Sequence, residues 1–378
     1  MTTANQKPPL NEEPNLNQQP NLKQKPNSNH KPTLLNILDS HGGPGFEHEV
    51  AEKMRQAFRE YTDDVRQDAL GNLIAVVQGN GENRRPKVML SAHMDEIALV
   101  VTKIEDGGFL RVWQAGGFDP RTLVGQEVVV HGKEELRGIV GSKPPHLTTP
   151  EERKQAAPLE DLYIDLAMSE QRVNELVRVG DRVTLYRETM DLLNNRISGK
   201  ALDDRTSLAV LLECLRFLKQ MKHVADVYAV ATVQEEVGVR GATTAGYGVH
   251  PDIAIAVDVT FADMPGQAPD DSFKMGKGPA VAFGPNIHPK VFQGLMEAAQ
   301  SNHIPYQLEL SQGPTGTDAR AFQIAREGIA SGLVGIAIRY MHTSVETGSY
   351  DDIVELGRLL ACYIASVDSA YVEGLTCY

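Results

Sequence analysis

Val227-Tyr228-Ala229-Val230-Ala231-Thr232-Val233 runs without a break into Gln234-Glu235-Glu236-Val237-Gly238. A mostly apolar run closed by polar residues has the length and texture of a strand buried on both faces of a sheet. Two carboxylates then appear where that strand leaves the sheet. Successive strand side chains point to opposite sides, so a kink here sends one carboxylate toward a metal and leaves the other facing a substrate. A lone Glu-Glu pair at a strand end is ordinarily a solvated acidic terminus. This pair matters because four other stretches supply what it lacks.

Strands and helices alternate on either side of it. Upstream, residues 72–77 and 87–92 read as strands, the second ending in His93-Met94-Asp95-Glu96. An earlier helix gathers Val50, Ala51, Met54, Ala57 and Phe58 on one face. Its His48-Glu49-Val50-Ala51-Glu52 lacks the second histidine of a zinc-binding helix, so His48 is read as a surface residue. Lys200-Ala201-Leu202-Asp203-Asp204-Arg205 opens an amphipathic helix with Leu208, Leu211, Leu212, Leu215 and Leu218 on one side. Beyond the opening stretch come a strand at 253–257 closed by Asp258, a helix at 289–301 and a strand at 306–310. A buried strand at 333–338 leads to Arg339-Tyr340-Met341-His342, and a helix at 351–367 closes the chain.

Between residues 98 and 193 the texture changes to short strand-like runs separated by Gly, Asp and Pro, the mark of a small β-barrel. The reading is therefore an α/β domain in two parts, 34–97 and 194–378, interrupted by a β-rich insert at 98–193. Residues 1–33 are different material. Pro14-Asn15-Leu16, Pro20-Asn21-Leu22 and Pro26-Asn27-Ser28 recur among Gln, Asn and Lys, which reads as a disordered, low-complexity tail with nothing to bury.

Composition narrows the function classes. The net charge is −13, with 50 acids against 37 Lys and Arg, so nucleic acid and anionic membranes are expected to be repelled. Cys214, Cys362 and Cys377 form no Cys-x-x-Cys pattern, so neither a thiolate zinc site nor a disulfide framework is expected. With no apolar signal core or membrane-length run, the chain reads as soluble and cytoplasmic.

Five candidate ligands each stand at the end of an expected strand or the start of the next helix: His93, Asp203, Glu236, Asp258 and His342. The carboxyl ends of parallel strands converge on one crevice. Asp203 or Asp204 alone would be a helix cap, and His93 alone a core histidine bonded to Asp95. Taken together, the residue types balance a metal pair. Three carboxylates and one hydroxide offset the charge of two divalent cations, and two imidazoles complete the shell. Mixed His and carboxylate ligands suit Zn²⁺, Co²⁺ or Mn²⁺ rather than Ca²⁺ or Mg²⁺. Asp95 is placed to take the other imidazole proton of His93, and Glu235 is the spare carboxylate, a general base for water.

At this point the sequence resembles the tetrahedral aminopeptidases, dinuclear metallopeptidases that include glutamyl and deblocking aminopeptidases. Ser91-Ala92-His93-Met94-Asp95-Glu96, Gly199-Lys200-Ala201-Leu202-Asp203-Asp204-Arg205, the Gln234–Gly238 stretch, Ala256-Val257-Asp258-Val259-Thr260 and Arg339-Tyr340-Met341-His342 match its motifs in order. The resemblance covers residue 34 to the C-terminus, and is looser at Gly316-Thr317-Asp318-Ala319. It implies a mixed-sheet metallopeptidase domain with one metal on His93, Asp203 and Asp258 and the other on Asp203, Glu236 and His342. It further implies that Asp203 bridges, that Glu235 is the base, that Asp95 supports His93, and that the Asp203-Asp204 peptide is cis. The insert is then a dimerisation domain, dimers assemble into a hollow dodecamer, and peptides are the substrates. Val129, Val130, Ile139 and Val140 are the expected apolar contact surface of the insert. The rival readings are a dinuclear deacylase of N-acyl amino acids, a glycosidase of the endoglucanase type, and a non-catalytic metal-binding scaffold. A glycosidase leaves His93 and His342 unexplained, and a degenerate scaffold would normally have lost the base or a ligand.

Overall fold

The computed structural model describes residues 30–82, 84–268 and 272–376. The expected tail therefore lies outside the described residues as far as residue 29. Residues 31–33, assigned to it from composition, instead form the first turn of α1 (Lys31–Leu38). Pro32 is tolerated there because a first-turn N–H needs no helical partner. Lys31 ties this turn to Asp191 and Asn195, at 2.9 Å each.

Ahead of the insert come α1, α2 (His48–Phe58), β1 (Val65–Gln67), β2 (Leu73–Val77) and β3 (Lys87–His93). The insert holds β4 (Ala98–Ile104), β5 (Leu110–Ala115), α3 (Pro120–Leu123), β6 (Glu127–His131), β7 (Glu135–Gly141), β8 (Tyr163–Asp165), α4 (Glu170–Leu176) and β9 (Arg182–Leu185). After it follow β10 (Met190–Leu192), β11 (Arg196–Gly199), α5 (Leu202–Leu218), β12 (Asp226–Thr232), α6 (Arg240–Val249), β13 (Ile253–Phe261), β14 (Ala280–Phe283) and α7 (Pro289–Ser301). The chain closes with β15 (Gln307–Leu310), α8 (Ala319–Gln323), β16 (Ala330–Ile338), β17 (Glu346–Ser349), α9 (Tyr350–Ser366) and α10 (Ser369–Glu373).

The fold is α/β. One eight-stranded mixed sheet runs in the order β1-β2-β12-β3-β13-β16-β14-β15. Its centre, β12-β3-β13-β16, is parallel, with antiparallel strands toward both edges. Alternation along each strand divides the core in two. Val88, Leu90 and Ala92 of β3, with Ile253, Ile255 and Val257 of β13, face α1, α2, α5, α7 and α9. Met89, Ala254 and Ala256 face the other way, toward α6 and α8. Burial on both faces is why these strands read as unbroken apolar runs.

The insert closes into a six-stranded barrel in the order β4-β5-β8-β7-β6-β9 around Leu99, Val101, Leu110, Val128 and Ile164. The apolar surface expected from sequence is largely inside it. Val130 and Val140 belong to the barrel core and Val129 is buried, which leaves Ile139 exposed at 47%. The barrel ends at β9, because β10 pairs with β11 and β11 with β17 in a separate three-stranded sheet. Cys214 and Cys362 are free and buried, and no helix among the described residues is long and apolar enough to cross a membrane.

Candidate metal centre

The site forms where the four parallel strands end. Thr232 of β12 lies opposite His93, the last residue of β3, and Asp258 of β13 lies opposite Gly335 of β16. Glu235 and Glu236 follow β12 through Gln234, and His342 follows β16; Gln234 (φ 56°) and His342 (φ 62°) adopt left-handed backbone. Non-glycine residues in that region cost energy and are held where the surroundings over-determine them. α5 also begins irregularly. Ala201 is left-handed, the Asp203-Asp204 peptide is cis, and neither aspartate has helical dihedrals. Asp203 and Asp204 are thus no helix caps; their carboxylates turn into the strand ends.

One side chain links the two histidines. Asp203 Oδ1 lies 3.2 Å from His93 Nε2, and its Oδ2 lies 3.1 Å from His342 Nε2. His342 Nε2 also approaches Glu236 Oε1 at 3.4 Å, and Glu235 Oε2 stands 3.9 Å from His93 Nε2. Two overlapping groups place one ligand atom per residue within 4.8 Å of one another: His93, Asp203 and Glu236, and His93, Asp204 and Asp258. All five sequence candidates are therefore gathered. Asp204, the alternative to Asp203, groups with Asp258.

Asp95 faces the second ring nitrogen of His93 and has another contact besides. The backbone oxygen of Asp95 accepts from His93 Nδ1 at 2.9 Å, while its carboxylate is 3.5 Å away. That carboxylate accepts the backbone N–H groups of Glu235 and Glu236, at 3.1 Å each. It aims both glutamates at once. Glu346, which no sequence pattern singled out, does the same for the other side. Its two oxygens accept from the N–H of Asp203 at 3.0 Å and of His342 at 2.7 Å. Glu47 accepts the N–H of Gln234. Behind the site, buried Glu96 pairs with Lys200 at 2.8 Å and Arg205 at 3.1 Å, locking the start of α5 to the end of β3. The barrel holds no ligand, yet its Gly116-Gly117 turn roofs the site. A Cβ on Gly116 would stand 3.2 Å from Glu236 Oε2, and one on Gly117 3.1 Å from His342 Nδ1.

The electrostatics describe acids in need of countercharge. Burial pushes Glu235 up to about 10, with Asp258 and Asp318 adding to the shift against His93. Burial likewise raises Asp258 to about 8, helped by Asp203. Burial would lower His342, but its bonds to Asp203 and Glu236 carry it to about 11. Asp203 is driven well below the carboxylate range: burial opposes this, and His342 and His93 prevail. Asp204 Oδ1 and Asp318 Oδ1 are buried without a hydrogen-bond partner among the described residues. Unpartnered buried carboxylate oxygens beside two imidazoles are a donor set that a divalent cation satisfies. The residues fit a metal pair. The cluster opens into a cleft of about 550 Å³. A larger hollow, about 1010 Å³, lies at the amino ends of the same strands around Lys87, Asp252 and Ala330, away from the cluster.

Comparisons with known proteins agree with the fold. The family profile described as M42 glutamyl aminopeptidase matches residues 71–359. A lysyl aminopeptidase of Pyrococcus furiosus is 39% identical over 323 residues, 84% of this chain and 91% of that protein. The crystal structure of a TET aminopeptidase from the marine sediment archaeon Thaumarchaeota archaeon SCGC AB-539-E09 superposes with a TM-score of 0.86 at 35% identity, covering 91% of this chain and 98% of that one. The TET1 peptidase of Pyrococcus horikoshii, described as able to assemble into a tetrahedron or a large octahedral shell, gives a TM-score of 0.78 at 30% identity, with 89% and 99% covered.

Proposed function

The chain belongs to the M42 family of glutamyl aminopeptidases, and from that premise we propose that it removes single residues from the amino ends of peptides with a metal pair and a glutamate base. The observation that carries the reading is the Asp203 carboxylate, one oxygen on each imidazole. His93, Asp203 and Asp258 would hold one divalent cation, and Asp203, Glu236 and His342 the other, as Zn²⁺, Co²⁺ or Mn²⁺. Such a pair, once bound, lowers the pKa of a water and polarises the scissile carbonyl.

The chain's own residues do the rest. Glu235, its Oε2 3.9 Å from His93 Nε2, takes a proton from the attacking water and delivers it to the departing peptide nitrogen. Water thus adds to the carbonyl carbon, the C–N bond breaks, and the products are a free amino acid and a shortened peptide. Asp95 keeps Glu235 and Glu236 in register by holding both backbone N–H groups. Glu346 fixes Asp203 and His342. The α/β part of the chain acts as the catalytic domain, and the barrel, from β4 to β9, as the self-association module. The assembly described for the Pyrococcus horikoshii relative supports self-association, as do exposed Trp113 and Ile139 on the barrel.

The test is a substrate panel with the Zn²⁺- or Co²⁺-loaded protein. Aminoacyl p-nitroanilides with a free amine are expected to be cleaved, the activity to vanish with a chelator and to return with metal. Cleavage of N-acetyl amino acids instead would make the protein a deacylase. Chelator-resistant hydrolysis of β-glucan would make it a glycosidase. Native mass measurement reads the self-association, and a monomer at micromolar concentration would refute it.

A further inference from the structure

Past the metal cluster, the cleft is walled by Val259, Thr260, Phe261, Glu309, Arg320 and Met341 among others. Among the described residues outside the cluster, Glu309 is its only lining carboxylate and Arg320 its only guanidinium. The strand that carries Glu309 is built against the usual pattern. β15 turns Leu308 and Leu310 outward, 50% and 57% exposed, and places Gln307 and Glu309 on the inner side. An edge strand normally buries its apolar face. Gln307 is fully used on the backbone of Lys274 and Gly278. Glu309 is held by one oxygen only, Oε1 accepting from Thr260 Oγ1 at 3.0 Å, and Oε2 has no partner among the described residues. Its carboxyl is raised by burial, against the Thr260 bond.

The placement sets a length. Thr260 lies two residues beyond Asp258 on β13, so both side chains point to the same side, separated by about 6.6 Å along the strand. An extended lysine stem spans about 6 Å from Cα to Nζ on standard bond lengths. We propose that Glu309 selects substrates whose amino-terminal residue carries a cationic side chain, lysine or arginine, by pairing with the ammonium or guanidinium. The inference rests on the aminopeptidase reading above. Arg320 favours acidic side chains, but it is exposed. Solvent screens it, whereas the half-buried carboxylate acts through a lower dielectric and repels a glutamyl or aspartyl side chain.

The experiment uses the metal-loaded full chain and the Lys, Arg, Leu and Glu p-nitroanilides. Wild type is expected to favour Lys and Arg over Leu and Glu by about tenfold or more in kcat/KM. Glu309→Gln should cut the Lys-to-Leu ratio by on the order of 10- to 100-fold, the usual worth of a hydrogen bond to a charged group. Glu309→Asp keeps the charge and should keep Lys ahead of Leu. If Glu309→Gln does not fold, inhibition of wild type by free L-lysine against L-norleucine, which lacks only the ammonium, answers instead; lysine should bind about tenfold tighter. A wild-type preference for Leu or Glu, an unchanged ratio in fully metallated Glu309→Gln, or equal inhibition by the two amino acids would overturn the inference while leaving an aminopeptidase. Failure of wild type to cleave any of the four overturns the underlying reading and this one with it.

Discussion

Glu346→Gln tests whether the ligand cluster depends on a residue that binds no metal itself. The carboxylate is 2% exposed and uses both oxygens as acceptors, for the N–H of Asp203 at 3.0 Å and of His342 at 2.7 Å. A glutamine of the same shape keeps one acceptor and turns the other into an NH₂ group facing an N–H. One hydrogen bond is lost and a buried donor is left unpaired, on the order of 1–3 kcal/mol. Both affected residues belong to the proposed ligand set, so the change would reach a metal held there. Removing such an outer support typically costs about 10- to 100-fold in metal affinity. The loss should be uneven. His93 keeps its own holders, the Asp95 carbonyl and the Asp204 carboxylate on its N–H, whereas His342 has its backbone held by Glu346. Competition titration with a chromophoric chelator, read as two Zn²⁺ affinities, should show both falling and one falling further than the other. Two affinities within about threefold of wild type, in a variant with unchanged circular dichroism, would falsify the argument.

Glu235→Gln should keep both metals and lose about 10²- to 10⁴-fold in kcat, because the amide cannot take the proton from water; metal analysis beside single-turnover kinetics reads this, and near wild-type turnover sinks the role. Asp203→Asn should lower occupancy of both metals, since its two oxygens serve both histidines, while Glu236→Gln should weaken the His342 site. Two full sites in Asp203→Asn would hand the bridge to Asp204. Stability of the chelated protein should fall from about pH 6 to pH 9. Glu235 at about 10, Asp258 at about 8 and His342 at about 11 all sit above their unfolded values, so their stabilisation is present at low pH and lost as pH rises through those values. His41 and His131, lowered to about 4 chiefly by burial, act oppositely and remove stability as pH falls below 6.5. A chelated melting temperature that rises between pH 6 and 9 would contradict this.

The sheet and its order of elements were legible because the central strands obey simple rules. β3, β12, β13 and β16 are buried on both faces, so each appears as an apolar run of strand length, and the helices between them show one apolar stripe. The barrel was legible from the spacing of its short strands. The misreadings share a cause. Val128-Val129-Val130 offers the same text whether a strand faces a barrel core or a partner, and closure of the barrel decides that Val130 turns inward. Residues 31–33 follow a polar, proline-rich stretch, and only contacts far along the chain, Asp191 and Asn195, make them the start of α1.

The residues that gather at the strand ends stood out in the sequence and those around them did not, for a physical reason. Parallel strands must end on one edge, and a buried strand that ends in His, Asp or Glu spends a polar group where water is excluded. Such residues stand out from an apolar run. The groups that aim them carry no such contrast. Glu346 sits in Glu-Thr-Gly-Ser, a polar strand with no motif, and it works through the backbone N–H of residues 143 and 4 positions away. Asp95 was assigned to the imidazole from its spacing, and nothing in that spacing showed that its carboxylate also reaches Glu235 and Glu236. Gly116 and Gly117 matter for the side chains they lack, so that the barrel can close over Glu236 and His342. A sequence advertises a residue whose chemistry conflicts with its neighbours. It hides one whose role is to accept a backbone hydrogen bond, because almost any Asp or Glu can do that and only the fold says which one does.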